Sequence, residues 1–202
     1  RSRGLGDVYK RQLLFILFIQ ARASSFMPAV TNYLAKDYEA GYQNWACAQG
    51  SNGEMYFGNS QGLLVYDGYR WTLHKVPGNH IVRSVYVKED RIYVGAFEEF
   101  GYFKYSEAGT LRYHSLSKFL KNFPMENNEI WNIVELDGRI YFQSFSAWFS
   151  YDGKMVHAFR NRQQQPLYFY TQNGHIYTQM IDEDFYEFDG KDFLHLFPRS
   201  QV

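Results

Sequence analysis

The 202 residues are 46% apolar and 20% aromatic, enough to bury a core and too rich in large side chains for a disordered segment. Basic and acidic residues both number 21, so the formal net charge is zero; with no basic stripe, nucleic acid is excluded as a partner of this segment. The six histidines are scattered without metal-ligand spacing, and the single cysteine, Cys47, has no partner for an intramolecular disulfide and reads as a small core residue between apolar neighbours.

In chain order, Ser2–Gln12 (SRGLGDVYKRQ) reads like the in-frame translation of a sequencing adaptor, so residues 1–12 are set aside from fold reasoning. Leu13–Ile19 is an apolar run followed by Ala21-Arg22-Ala23. Residues 13–23 therefore read as the end of a truncated secretory signal peptide, cleaved after Ala23; the run is too short to span a bilayer, which takes ~20 residues. Residues 24–43 form no repeat unit and are expected to supply a lone strand that completes a blade.

The rest is organised around GEMYFGNSQGLLVYDGYRW, residues 53–71, of which three weaker copies follow. They align on Tyr56, Tyr93, Tyr141 and Tyr177, at intervals of 37, 48 and 36 residues, the long interval holding an insertion at 116–128. Each unit predicts four short strands, A to D, giving blades at 44–74, 81–116, 129–159 and 166–197. A period near 40 with four strands per unit is the signature of a β-propeller. The expected fold class is all-β: a propeller fragment of about four blades, each of four antiparallel strands, with the ring incomplete. A plain sandwich does not require the Asp-Gly turn to recur at Asp67-Gly68, Asp152-Gly153 and Asp189-Gly190. The runs are also shorter than the ~9–11 residues of an outer-membrane barrel strand. Four blades do not close a ring of the usual size, so the first and last sheets are expected to expose side faces, and the polypeptide to be a poor autonomous folder.

Antiparallel strands place the A–B and C–D turns on one rim and the B–C and D–A connections on the other. Tight Gly turns crowd the first rim; the second collects chemically varied loops, where function usually sits. The ligand-binding candidates there are Asn59, Gln61, Arg83, Phe97, Glu98, Glu99, Gln143 and Asp182. Phe97, Phe145 and Trp148 beside Asn59, Gln61 and Gln143 would suit stacking on a sugar ring with amide hydrogen bonds to its hydroxyls, although core packing suits Trp148 better. Arg83, the charged residue in IVRSVYV, points to the central channel or pairs with Glu98 or Glu99. Glu98 or Glu99 with Asp182, Glu183 or Asp184 could form a glycosidase carboxylate pair, but that chemistry needs a set separation and one raised pKa. Solvated loop acids are the preferred reading, so no catalytic residue, metal site or cofactor is assigned.

The stretches YQNWACAQGSNGEMYFGNSQGLLVYDG (Tyr42–Gly68) and IVRSVYVKEDRIYVGAFEEFGYF (Ile81–Phe103) resemble the N-terminal blades of the two-component-regulator propeller. That is the sensor half of Bacteroidetes-type membrane-spanning transcriptional regulators and hybrid histidine kinases. The likeness covers residues 30–197, and in the last two blades it reduces to the general pattern with Trp131, Trp148 and the Asp-Gly turns. It implies a periplasmic, non-catalytic sensor of a small molecule or oligosaccharide. It further implies C-terminal blades, an immunoglobulin-like module, one transmembrane helix that anchors the protein in the inner membrane, and a cytoplasmic signalling or DNA-binding part. It leaves room for a homodimer of the full-length protein. A polysaccharide-active propeller enzyme and a secreted binding propeller remain the alternatives.

Overall fold

Each repeat is closed by turns that its own residues dictate. In the computed structural model, Asp67 Oδ1 accepts from the backbone N–H groups of Tyr69 (2.7 Å) and Arg70 (2.6 Å). Asp152 does the same with Lys154 (2.9 Å) and Met155 (2.8 Å), and Asp189 with Lys191 (2.8 Å) and Asp192 (2.7 Å). These backbone donors hold all three carboxyls below the usual aspartate range. In the second repeat Ser106 replaces the aspartate, its Oγ accepting from Thr110 N at 3.2 Å.

The structure describes residues 29–125, 127–160, 165–181 and 183–201. The adaptor-like and signal-peptide readings of residues 1–23 lie outside them. The first sheet comprises β1 (Asn44–Gln49), β2 (Met55–Asn59), β3 (Gly62–Tyr66) and β4 (Trp71–His74). The second comprises β5 (Val82–Lys88), β6 (Arg91–Ala96), β7 (Phe100–Tyr105) and β8 (Leu111–Ser115). The third comprises β9 (Asn132–Leu136), β10 (Arg139–Gln143), β11 (Trp148–Tyr151) and β12 (Val156–Phe159). The fourth comprises β13 (Tyr170–Gln172), β14 (His175–Gln179), β15 (Phe185–Phe188) and β16 (Phe193–Phe197). All four are antiparallel with strand order equal to chain order. The first strands neighbour one another across sheets, β1 beside β5, β5 beside β9 and β9 beside β13. Blades radiating from a shared inner edge make a propeller fragment.

The four tyrosines are in register. Each lies two residues past the pair that closes the A–B turn, Gly50/Glu54, Lys88/Arg91, Leu136/Arg139 or Gln172/His175. Three are buried in the contact with the following blade. Tyr56 joins Ile92, Val94 and Phe103; Tyr93 joins Ile140, Phe142 and Phe149; Tyr141 joins Ile176 and Phe188. Each such burial contributes roughly 1.5–3 kcal/mol. Tyr177 points the other way from buried Ile176 and is only half-buried, on a face that also shows Tyr170 and Leu194.

A second position in the B strand sets how the next blade approaches. A Cβ on Gly58 would lie 2.8 Å from Val82 O, and one on Gly95 would lie 2.4 Å from Ile130 Cγ2, so glycine is what lets the next chain segment pass. The third blade has Gln143 there instead. Its side chain spans the gap, Oε1 accepting from Phe169 N at 2.8 Å and Nε2 donating to Pro166 O at 3.3 Å.

The 116–128 insertion packs Leu116, Leu120, Phe123 and Met125 on the contact between the second and third blades, with Phe123 edge-on to Phe149 at 5.3 Å. A short 3-10 turn, Ser117–Phe119, opens it. Two expectations need correction. Cys47 is exposed, because alternation sets it beside Phe57 on the face of the first sheet turned away from the second blade. The described part of residues 24–43 contains no strand; it holds a helical turn, α1 (Ala35–Tyr38), whose Asp37 carboxylate accepts from Leu34 N at 2.7 Å.

Candidate functional site: the loop-rich rim

The A strands begin at the rim that carries the B–C loops, and there the sheet register slips. The pairing of β1 with β2 jumps between Asn44 and Ala46, and that of β5 with β6 between Val82 and Ser84, leaving Trp45 and Arg83 as unpaired bulge residues. Trp131, whose N–H bonds Gln143 O just ahead of β9, and Leu167, whose N–H bonds Gln179 O ahead of β13, hold the same position in their blades. Bulges re-aim side chains, and these four positions form a row around the inner edge.

Three of the four are in contact. The Arg83 guanidinium carbon lies 3.8 Å from the centroid of the Trp45 ring and 4.8 Å from that of Trp131. Its Nε donates to Glu129 Oε1 at 2.5 Å, with the two side chains 13% and 19% exposed. Cation–π contacts this sheltered are worth about 2 kcal/mol or more. The stack joins three blades, since Trp45, Arg83 and the Glu129–Trp131 pair come from successive repeats. Arg83 Nη1 is buried with no hydrogen-bond partner among the described residues. From Trp131 the aromatic surface continues to Phe145 (5.8 Å between centroids) and on to Tyr168 (6.5 Å), whose hydroxyl donates to Trp131 O at 3.0 Å. Trp45 and Phe145 are each 41% exposed.

The sequence candidates are distributed unevenly around this row. Arg83 is its centre, but its acidic partner is Glu129, which the Phe97–Glu129 bridge brings alongside, and neither Glu98 nor Glu99. Phe97 is half-buried, 5.7 Å from the His80 ring. Glu98, at φ 54, accepts from Asn127 N at 2.8 Å. Glu99 turns outward, one carboxylate oxygen accepting from the hydroxyls of Tyr113 (2.9 Å), Ser115 (2.9 Å) and Ser117 (2.8 Å). Asn59 is fully buried. Its oxygen accepts from Gly41 N and Gln61 N, both at 3.0 Å, and its amide donates to Gly41 O (2.7 Å) and Asn44 Oδ1 (2.8 Å), so all four of its hydrogen-bonding positions serve the first blade and the Gly41 segment that leads into it. Gln61 is exposed at the tip of the same loop, and Gln143 is 2% exposed between blades. Asp182 lies outside the described residues. Trp148 is 4% exposed, stacked on Phe159 at 5.8 Å.

Sequence reasoning missed Trp45, Glu129 and Tyr168. Counting back ten residues from the B-strand tyrosines gives Arg83, Trp131 and Leu167, but Ala46 in the first blade, whose A–B turn is one residue longer. Further along the inner edge a cleft of about 650 Å³ is lined by Tyr86, Asn132, Glu135, Tyr170 and Thr171 among others. There Glu135 takes hydrogen bonds from Lys88 Nζ (2.5 Å) and Tyr86 Oη (3.0 Å); the lysine bond leads the causes that hold its carboxyl below the usual range. Among the described residues no group of His, Cys, Asp or Glu could hold a metal ion, and no helix is long and apolar enough to cross a membrane.

No protein-family model matches the sequence, and no curated protein matches it. Solved structures share its fold. The extracellular domain of BT4673 from B. thetaiotaomicron, named as a hybrid two component system, aligns with a TM-score of 0.58 at 16% identity over 78% of this chain. That of BT3049, a similarly named system of the same organism, aligns with a TM-score of 0.53 at 16% identity over 74%. The chain spans 21% of the length of each. The WD40 β-propeller domain of Doa1 aligns with a TM-score of 0.50 at 11% identity, over 76% of this chain and 57% of that domain.

Proposed function

We propose that residues 44–197 are the ligand-sensing propeller of an exported signalling protein of the two-component-regulator kind, and that a soluble oligosaccharide binds, without turnover, on the loop-rich rim. The protein is periplasmic in this reading, with an inner-membrane anchor and output module elsewhere in a longer chain. The observation that carries the reading is the row Trp45–Arg83–Trp131 with Phe145 and Tyr168: partly exposed aromatic faces next to a held charged pair are what a hydroxyl-rich ligand needs for stacking and orientation. Gln61, Phe97 and Glu98 border the row and belong to the proposed surface, whereas Asn59, Glu99 and Gln143 are committed to hydrogen bonds within and between blades. The resemblance in fold to extracellular domains of two-component systems supports a sensor over an enzyme. Glu98 and Glu99 face different partners, which argues against their acting as a carboxylate pair.

The test is calorimetric titration of this chain with a panel of oligosaccharides, wild type against Phe145→Ala, Gln61→Ala and Asp67→Asn. Loss of a binding heat in the first two, with Asp67→Asn unchanged and no product formed, is the expected result. Loss on Asp67→Asn alone would put the site on the tight-turn rim.

A further inference from the structure

Of the row's three contacting positions, the middle one is a cation that its neighbours leave unfinished. Arginine offers five N–H donors in a planar fork. Glu129 takes the Nε edge through one oxygen, and Nη1 remains buried without an acceptor. Buried polar groups are almost always partnered, so an orphan guanidinium nitrogen inside a surface patch marks a place for an acceptor. The cover over it is Trp45, 41% exposed, with its indole N–H on Ser60 Oγ at a long 3.3 Å. On the other side lie Trp131 and the exposed Phe145.

Resting on the sugar-binding reading of this rim, we propose that the ligand is an acidic sugar whose anionic group, a carboxylate or a sulfate ester, docks on Arg83 Nη1. Trp45 swings aside to admit it, and the faces of Trp131 and Phe145 carry the sugar ring. A two-oxygen anion matches the guanidinium fork, and charge-assisted hydrogen bonds in a slot walled by indole rings are stronger than those to a neutral hydroxyl. A cationic ligand is disfavoured because it would meet the Arg83 charge held between Trp45 and Trp131. Glu129 keeps the guanidinium oriented by its other edge, so the clamp is set before the ligand arrives.

The experiment titrates this chain with galacturonate and glucuronate oligosaccharides, with their methyl esters, and with sulfated and unsulfated forms of one neutral oligosaccharide, read by calorimetry and tryptophan fluorescence. The acid or the sulfated form is expected to bind at least tenfold tighter than its uncharged counterpart, and which pair shows the difference identifies the anion. Arg83→Gln, which removes the charge, should abolish that preference, and Trp45→Ala should keep it while removing most of the fluorescence change. Uncharged sugars that bind as tightly as charged ones in the wild type would overturn the anion proposal and leave the sugar-binding reading standing. An anion preference that survives Arg83→Gln would also overturn it. Absence of binding by every sugar would overturn both. The comparison of charged and uncharged sugars on the wild type needs no variant to fold.

Discussion

Replacing Gln143 by alanine should loosen the fourth blade while leaving the first intact. The glutamine is 2% exposed and holds Phe169 N at 2.8 Å and Pro166 O at 3.3 Å, the two backbone groups that lead into β13. Leaving the buried Phe169 N–H without an acceptor costs about 1–3 kcal/mol, and the longer bond to Pro166 adds about 0.5–1.5 kcal/mol. Loss of one buried methylene contributes ~0.8 kcal/mol. The sum is on the order of 2–5 kcal/mol, concentrated where the fourth sheet meets the third. Amide hydrogen exchange followed residue by residue is the assay. Phe169 N–H should exchange roughly 30-fold faster or more, the equivalent of the lower bound, while amides of β2 and β3 keep their wild-type rates. A change below threefold at Phe169, or an equal acceleration in the first blade, would refute the idea that this side chain ties one blade to the next.

Gly95→Ala should destabilise the chain by about 1–3 kcal/mol through overpacking, because its Cβ would sit 2.4 Å from both Ile130 Cγ2 and Ser84 Oγ; an unshifted denaturation midpoint would contradict the register of that contact. The three turn aspartates predict an acid-dependent loss of stability. Their folded pKa values are depressed by backbone donors, so their contribution is fully present above the ordinary value of 3.8 and disappears as pH falls through the folded values. Asp67→Asn, Asp152→Asn and Asp189→Asn combined keep an acceptor but no charge, so the stability gap to wild type should close on acidification. A gap that stays constant to the acid limit would assign the stabilisation to shape and not to ionisation.

The repeat was legible because its signals are local. The tyrosine two residues past each A–B turn and the Asp-Gly pairs are fixed by strand period and turn chemistry, and both fall where expected. The rim itself follows from strand direction, and Arg83 was visible as a charge in an apolar strand. What could not be read were pairings across blades. Glu129 reaches Arg83 over 46 residues, beside the Phe97–Glu129 bridge and the Ser84 Oγ–Ile130 O hydrogen bond. Trp45 was hidden by one extra residue in its A–B turn, which shifts it off the sequence period without moving it from the strand position that Arg83 holds in the next blade. Asn59 and Gln143 looked alike as rim amides, yet they sit at positions one residue apart in the B strand, so one faces its own blade and the other faces the next.

The buried tyrosines give the assembly a sense of direction. Tyr56, Tyr93 and Tyr141 each project forward into the following sheet, which receives them with the apolar side chains of its own B and C strands. Each blade thus has a plug on one side and a socket on the other, and the joints are head-to-tail, so a blade inserted backwards would set plug against plug. Because the tyrosine joint recurs, the boundary between the first two blades at Pro77–Asn79 is a natural cut for circular permutation or for exchanging one blade for another. A cut inside a B strand would sever a plug from its sheet.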